Sequence, residues 1–403
     1  MTMDIRDRDT RWGLLIPFSP ALALVYYGAL ITKFKAIIQG IRSDRVTYGA
    51  LISLLISGTI SAILAQDPGY ALLNMPIPLL FIMIYALGRW GIVNARDFLK
   101  AVTLGCGLLG LVVVISRLMR LDIWYGSIPI LARFNRGRGN VLGMADNGLA
   151  AMLEAGVTGG LGFFLYQSRH RWLYLAASFT SLLGIFTTYS RGSMVGTLAA
   201  VIILIAMNSP AVRKHWKAII GICGVTLVCI FKWPGLSARI LSIANLSTNS
   251  SNIGRLQIWQ VSWSMLKDNF LFGIGPGHYG RTYAAYRPDN FIKAMSPHSM
   301  YFFVLTGWGL VGFTLFFGWM AISLIKPLLQ DNTPYRRIAF AMMVSFWIHV
   351  LFNDLFIAHV PLIMGCVAHP DLAFRSIHQE QSIESNPAGE KHNPDLFPDI
   401  PTS

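Results

Sequence analysis

The chain is dominated by a succession of apolar runs, each about as long as a bilayer is thick. Eleven are read, at roughly 12–32, 46–65, 70–88, 99–116, 141–167, 172–189, 192–207, 216–232, 299–325, 335–352 and 354–370. A hydrocarbon core about 30 Å thick needs roughly 20 apolar residues per helix. The expected fold class is therefore all-α, a polytopic transmembrane helical bundle of about 11–12 spans. Only 13% of the residues are charged, against roughly 25% in a soluble domain, which excludes an ordinary globular protein. Turn signals such as Gln66-Asp67-Pro68-Gly69 and Asn208-Ser209-Pro210 separate the runs. The chain divides into N-terminal transmembrane helices over 1–232, an extracytoplasmic loop with amphipathic helices over 233–298, C-terminal transmembrane helices over 299–370, and a tail over 371–403. The tail is rich in Glu, Asn, Pro and Ser, a composition that predicts disorder. The first run has no small-residue cleavage pattern and is expected to stay as a helix. Cys106, Cys223, Cys229 and Cys366 sit in apolar runs without C-x-x-C spacing, so neither a disulfide framework nor a metal site is expected.

Charge placement carries the functional signal. There are 33 Lys and Arg against 19 Asp and Glu. In a membrane protein such an excess first marks cytoplasmic connections; no nucleic-acid-binding motif accompanies it, and nucleic acid is not an expected partner. Assigning one alternate set of basic connections to the cytoplasm, together with the tail, puts the N-terminus on the opposite side. That opposite side then holds two dense basic segments. Arg117, Arg120, Arg133, Arg136 and Arg138 lie between the fourth and fifth runs, and Lys232, Arg239, Arg255, Lys267, Arg281, Arg287 and Lys293 lie in or beside the long loop. Topology does not account for these. Binding a polyanion at the outer face does; the plainer alternative is a solvated surface or contact with lipid phosphates.

Five segments concentrate the chemistry. Thr187-Thr188-Tyr189-Ser190-Arg191-Gly192-Ser193 joins two runs with almost no loop, so Arg191 sits at the membrane boundary. An embedded arginine costs about 2.5–3.5 kcal/mol on insertion scales and usually has a partner, although a snorkelling Arg at a hairpin is the alternative. Gly254-Arg255 opens an amphipathic helix with Leu256, Trp259, Trp263 and Leu266 on one face, suited to the membrane surface. Arg255 is expected in its first turn, a place for an anion beside a helix N-terminus. Phe272-Gly273-Ile274-Gly275-Pro276-Gly277 reads as a turn returning the chain to the membrane, with a backbone anion nest as the alternative. Ser296-Pro297-His298-Ser299 opens the ninth run and puts His298 at the mouth of the bundle, where a neutral imidazole can take a proton from a hydroxyl. Asp146, Asn147 and Glu154 open the fifth run; the carboxylates either pair with arginines such as Arg136 or Arg138, or contact a sugar. No D-x-D, H-E-x-x-H, Walker loop or G-x-S-x-G is present. The expected reaction uses no cofactor and no metal.

Taken in order, these segments resemble the O-antigen ligase and polymerase family of polytopic glycosyltransferases. The resemblance spans most of 140–365. It rests on Tyr189-Ser190-Arg191-Gly192, on Gly254-Arg255 with Trp259, on the Gly273–Gly277 turn, and on His298-Ser299 followed by Gly309-Leu310-Val311-Gly312. It implies about twelve helices with both termini cytoplasmic, in a bacterial inner membrane with the active site facing the periplasm. It also implies an undecaprenyl-diphosphate-linked glycan donor, a lipid A-core acceptor in a ligase, and lateral access from membrane lipids. By resemblance, Arg191 and Arg255 clamp the diphosphate and His298 activates the acceptor hydroxyl, with inversion and without metal. Arg136, Arg138, Asp146, Asn147, Ser190, Trp259 and Ser299 complete the expected substrate contacts. Within the family, an O-antigen or exopolysaccharide polymerase and a protein O-oligosaccharyltransferase remain open. Outside it, the rival is a lipid-linked glycan transporter. Transporter sites lie at midplane on broken helices within repeats, whereas the charged residues here cluster at one face and no repeat is visible.

Overall fold

The computed structural model describes residues 7–121, 123–125, 128–132, 140–141, 144, 146–166, 170–233, 235–244, 249–354 and 359–373. The N-terminal part runs through α1 (Arg8–Leu15), α2 (Pro20–Ile31), α3 (Phe34–Ser43), α4 (Arg45–Leu64), α5 (Pro68–Asn74), α6 (Pro76–Ala86), a π-turn at Leu87–Gly91, and α7 (Ala95–Met119). A small antiparallel sheet follows, β1 (Ile123–Tyr125), β2 (Ile128–Ala132) and β3 (Asn140–Val141), in the order β1-β2-β3. Next come α8 (Asp146–Tyr166), α9 (Arg171–Thr188), α10 (Arg191–Met207) and α11 (Ser209–Lys232). The long loop carries α12 (Leu236–Ala244), α13 (Ser250–Asp268) and α14 (Tyr279–Tyr286). The chain returns through α15 (Met300–Gln330), α16 (Pro334–His349) and α17 (His359–Val367). The fold is a polytopic helical bundle. Its three short strands were not expected from the sequence.

Capping chemistry sets many boundaries. The side chains of Asp44, Asp67, Asn94, Asn249 and Thr333 each accept a backbone N–H in the first turn of α4, α5, α7, α13 and α16. Proline at the first position of α5 and α16 adds a fixed φ where no N–H is needed. Every expected run from the second to the eleventh coincides with a helix. Six helical stretches are long and apolar enough to cross a membrane alone, or seven if the bent pair of α2 and α3, at 85°, counts as one. Among the described residues, helices such as α10 and α17 are shorter than that measure requires.

Hydrogen bonds sort the connections into two faces. On the face of the long loop, hereafter the loop face, Asp67 pairs with Arg281, Asn147 with Asn353, and the N–H of Met300 with the carbonyls of Val350 and Asn353. On the opposite face, Arg89 pairs with Asp44, Arg96 with Asp371, Arg337 with the Met207 carbonyl, and Thr333 with the Leu372 carbonyl.

The N-terminus belongs to the opposite face, which corrects the expected topology. The first run does not cross. α1 ends at Leu15, a 3-10 turn through Pro17 follows, Ser19 caps a new helix at Pro20, and α2 doubles back. Buried Asp9 accepts from Tyr26 Oη at 3.0 Å and from the Val93 N–H at 2.7 Å, and Trp12 stacks on Tyr26. Leu30 packs near Gly91, beside the start of α7. The hairpin thus enters and leaves at one face, and the described chain begins and ends there. At the other end, residues 371–373 are not part of a loose tail. Asp371 holds Arg96 through both its carboxylate and its carbonyl. The remaining tail, 374–403, lies outside the described residues.

α8 occupies the centre, buried continuously from Leu149 to Leu165 and packed on α7, α9, α10 and α16. α15 is interrupted at Gly309, with φ 66° and ψ −171°. The turn at 270–277 docks into that break. The N–H groups of Leu310 and Val311 donate to the carbonyls of Phe270 and Leu271, and the Ile274 N–H donates to Thr306. A Cβ on Gly309 would overlap the Leu271 carbonyl. The glycines that looked like one motif are the two halves of a joint between loop and bundle.

Candidate functional site

Arg191 opens α10, immediately after a turn in which Tyr189 takes a left-handed φ of 52°. The side chain is buried at the loop face. Its guanidinium donates to the carbonyl of Ser242 in α12 at 3.2 Å, with the Ser242 hydroxyl at 3.4 Å. Arg239, one turn earlier in α12, donates to the Tyr189 carbonyl at 3.1 Å. The same Ser242 carbonyl accepts from Asn252 in the first turn of α13 at 3.4 Å. The long loop is thus pinned onto the α9–α10 turn, and Arg191 shares an acceptor with the helix that carries Arg255.

α13 differs from its sequence reading in two respects. Arg255 is in the second turn, because the Asn249 cap starts the helix at Ser250. The expected apolar face also divides. Leu256 and Trp263 are exposed, Leu266 is buried, and Ile258, Val261 and Met265 pack inward against Tyr279 and Tyr283 of α14. Burial raises the Tyr279 phenol above its ordinary value, so it stays neutral beside Ser262.

Trp259 is the link to His298. Its indole N–H donates to the Pro297 carbonyl at 3.1 Å, and its ring lies against Phe302 of α15 and Phe352 beyond α16. His298 has a left-handed φ of 48° and is 52% exposed, so its ring reaches out of the bundle. Its Nδ1 stands 3.9 Å from Asp354 Oδ1. That is beyond a hydrogen bond. Ser299, the neighbouring expected contact, is buried at the start of α15. A substrate contact through that side chain is not provided for.

A polar seam inside the bundle joins the two regions. Ser190 Oγ donates to Asn147 Oδ1 at 2.9 Å, and Asn147 Nδ2 donates to Asn353 Oδ1 at 2.7 Å. Asn353 in turn holds the first N–H of α15 through its carbonyl. Ser190 Oγ also lies 3.3 Å from His349 Nε2. His349 Nδ1 lies 2.6 Å from Glu154 Oε1, an ion-pair distance with off-axis hydrogen-bond geometry. The second Glu154 oxygen accepts from Ser345 at 2.9 Å. Removing one member of so buried a pair costs about 3–5 kcal/mol. Close approach of α10 to α16 makes the seam continuous. A Cβ on Gly192 would come within 2.8 Å of the His349 ring, and one on Gly196 would overlap the Ser345 carbonyl.

The expected residues therefore fall into groups. Arg191, Ser190, Asn147, Trp259 and His298 are brought onto one connected network, and Arg255 stands on the helix beside it. Asp146 starts α8 one residue away from Asn147. Arg136 and Arg138 lie outside the described residues. Glu154 reaches His349 and Ser345. Ser242, Asn252, His349, Asn353 and Asp354 were missed. Only Asp354 carried a visible signal, as an acidic residue at the edge of an apolar run. In the Gly273–Gly277 turn, the Gly273 and Ile274 N–H groups donate to the Asn269 and Thr306 carbonyls, and the Gly275 carbonyl accepts from His278. Among the described residues no cluster of His, Cys, Asp and Glu suits a metal ion.

Comparison with known proteins bears on the segment that holds this network. A family model described as O-antigen ligase matches residues 176–317. That range runs from α9 into α15 and includes Ser190, Arg191, Arg255, Trp259, His298 and Gly309. The teichuronic acid biosynthesis protein TuaE of Bacillus subtilis (strain 168) is 26% identical over 147 residues, 34% of this chain. The match spans 30% of that relative's own length. Together with the many apolar helices, these findings support a multi-pass membrane protein whose segment 176–317 is similar to the O-antigen ligase family.

Proposed function

We propose that the protein transfers a glycan from undecaprenyl diphosphate to a sugar hydroxyl of lipid A core, at the periplasmic face of a bacterial inner membrane. The observation that carries this reading is the hydrogen-bonded run at the loop face from Ser190, next to buried Arg191, through Asn147 and Asn353 to the N–H of Met300, two residues after exposed His298. The acceptor oxygen attacks the anomeric carbon as the bond from that carbon to the diphosphate oxygen breaks, so the centre inverts. The electron pair leaves with the diphosphate, whose growing charge falls to the Arg191 and Arg255 guanidiniums. The acceptor proton passes to His298, and the Asp354 carboxylate favours the resulting imidazolium. Solvent then takes the proton from the exposed ring. Asp146 and Trp259 are suited to the donor sugar, and Arg136 and Arg138 to the outer diphosphate approach.

The test uses the purified full-length protein with EDTA, an undecaprenyl-diphosphate-linked glycan, and lipid A core. Transfer to the core supports the reading, whereas donor binding without product favours a lipid-linked glycan transporter. A second reading within the family follows from the relative's name, which assigns it to teichuronic acid biosynthesis. That favours an acceptor other than lipid A core. Growth of glycan on the polyprenyl carrier, with no core present, would make the protein a polymerase.

A further inference from the structure

The seam contains more buried polar chemistry than a helix contact needs. Glu154 and His349 are each at most 1% exposed, and Ser190 is 5% exposed. They come from α8, α16 and the α9–α10 turn, and they meet next to Arg191. We infer that Glu154, His349 and Ser190 form a positioning relay that fixes the Arg191 guanidinium for the diphosphate, an inference that rests on the transfer reading above. None of the three touches substrate.

The directions of the bonds give the relay its logic. Asn147 offers its amide N–H to Asn353, so its oxygen takes the Ser190 proton. That leaves His349 Nε2 as the donor toward Ser190 Oγ. Glu154 Oε1 stands 2.6 Å from the other ring nitrogen, off the hydrogen-bond axis, and its close approach restricts the ring to this orientation. Ser345 fixes the carboxylate from its other oxygen. Ser190 is the residue from which α10 starts: its carbonyl accepts the Met194 N–H. Fixing its side chain fixes the first turn of α10, from which Arg191 projects. Gly192 leaves the space that lets His349 stand against that turn. The aspartates of the opposite face do not enter this seam. Besides Glu154, His349 and Arg191, the charged residues on α8, α10 and α16 are Asp146 at the start of α8 and Arg336 and Arg337 at the far end of α16, where they donate to the Pro327 and Met207 carbonyls.

A double-mutant cycle on undecaprenyl diphosphate binding tests the relay, with full-length protein in detergent and thermal unfolding as a check on folding. H349N retains an amide near Glu154 but cannot reach Ser190. It should weaken binding about tenfold in the wild-type background and less than about twofold in R191A. H349Q, whose amide can stand where Nε2 stands, should recover most of the loss. S190A should reproduce the H349N loss from the other end, and it decides the matter if H349N does not fold. Additive losses with R191A, or folded H349N and S190A proteins that bind like wild type, overturn the relay alone. Wild-type binding by R191A overturns the diphosphate reading and the relay with it.

Discussion

The two faces of the bundle handle positive charge differently. On the opposite face, Arg89, Arg96, Lys100 and Arg336 each meet an aspartate: Asp44, Asp371, Asp97 and Asp331. These pairs tie helix ends together and are structural. On the loop face, Arg191 donates to Ser242 and Arg239 to the Tyr189 carbonyl, fastening the long loop to the bundle, while Arg281 meets Asp67 at the exposed surface. The contacts of Trp259 hold a backbone rather than a charge. Four cations meet aspartates on one side, and on the other two arginines bind the long loop to the bundle at a junction. The difference teaches that basic residues of a membrane protein should be sorted by what they bind before they are counted.

Mutations can break this contrast. The largest effect is expected on the loop face. Arg191→Ala and His298→Ala should each lower glycan transfer by about a hundredfold or more, with the unfolding temperature close to wild type, as seen when one charge-stabilising group is removed from an active site. Asp354→Asn should lower transfer about tenfold at saturating donor, because it withdraws support for the imidazolium without touching the diphosphate. On the opposite face the pattern should invert. Asp97→Ala strands Lys100, buried at 3.0 Å from it, and should cost about 3 kcal/mol of stability in denaturant unfolding. Transfer per folded molecule should be unchanged.

Smaller effects sharpen the boundary between the two kinds of site. Trp259→Phe keeps the stack on Phe302 and loses the bond to Pro297. It should cost about 1 kcal/mol in unfolding and a few-fold in transfer, since the His298 segment is released at one point. The smallest effect belongs to Asp67. The Tyr70 N–H first, and then Arg281, hold its carboxyl below the ordinary 3.8. A lowered acid contributes fully above its unfolded value and loses that contribution as pH falls through the folded one. Thermal unfolding of wild type and Asp67→Asn should therefore differ by the same small amount from pH 8 to pH 5 and converge only below about pH 3.8. Because the Asp67–Arg281 bridge is exposed, that difference is expected to be slight.

Much of this was legible beforehand, for reasons that differ from residue to residue. Ten of the runs became helices because apolar length is a one-dimensional property, and the Arg191, Trp259 and His298 segments stood out as polar groups where lipid would be. The first run misled. Its hydropathy is continuous from 12 to 32, but Pro17 and Ser19-Pro20 end one helix and start another inside it. Given that weight, the signal would have predicted the reversal that puts both ends of the described chain on one face. The hairpin of β1 and β2 was signalled by Gly126-Ser127 between two β-branched and aromatic segments. The pairing of Glu154 with His349 had no such trace. The two are far apart in sequence, and each looked like an isolated polar group in an apolar helix.

The central claim is that the loop-face junction of α10, α12 and α13 receives the diphosphate. Photo-crosslinking of the full-length protein with an undecaprenyl diphosphate carrying a photoreactive group next to the diphosphate tests it directly. The account predicts labelled peptides from 189–194, 239–242 and 252–259, lost when unlabelled undecaprenyl diphosphate competes. Labelling that concentrates instead on the opposite face, around Arg89, Arg96 and Arg336, would contradict it.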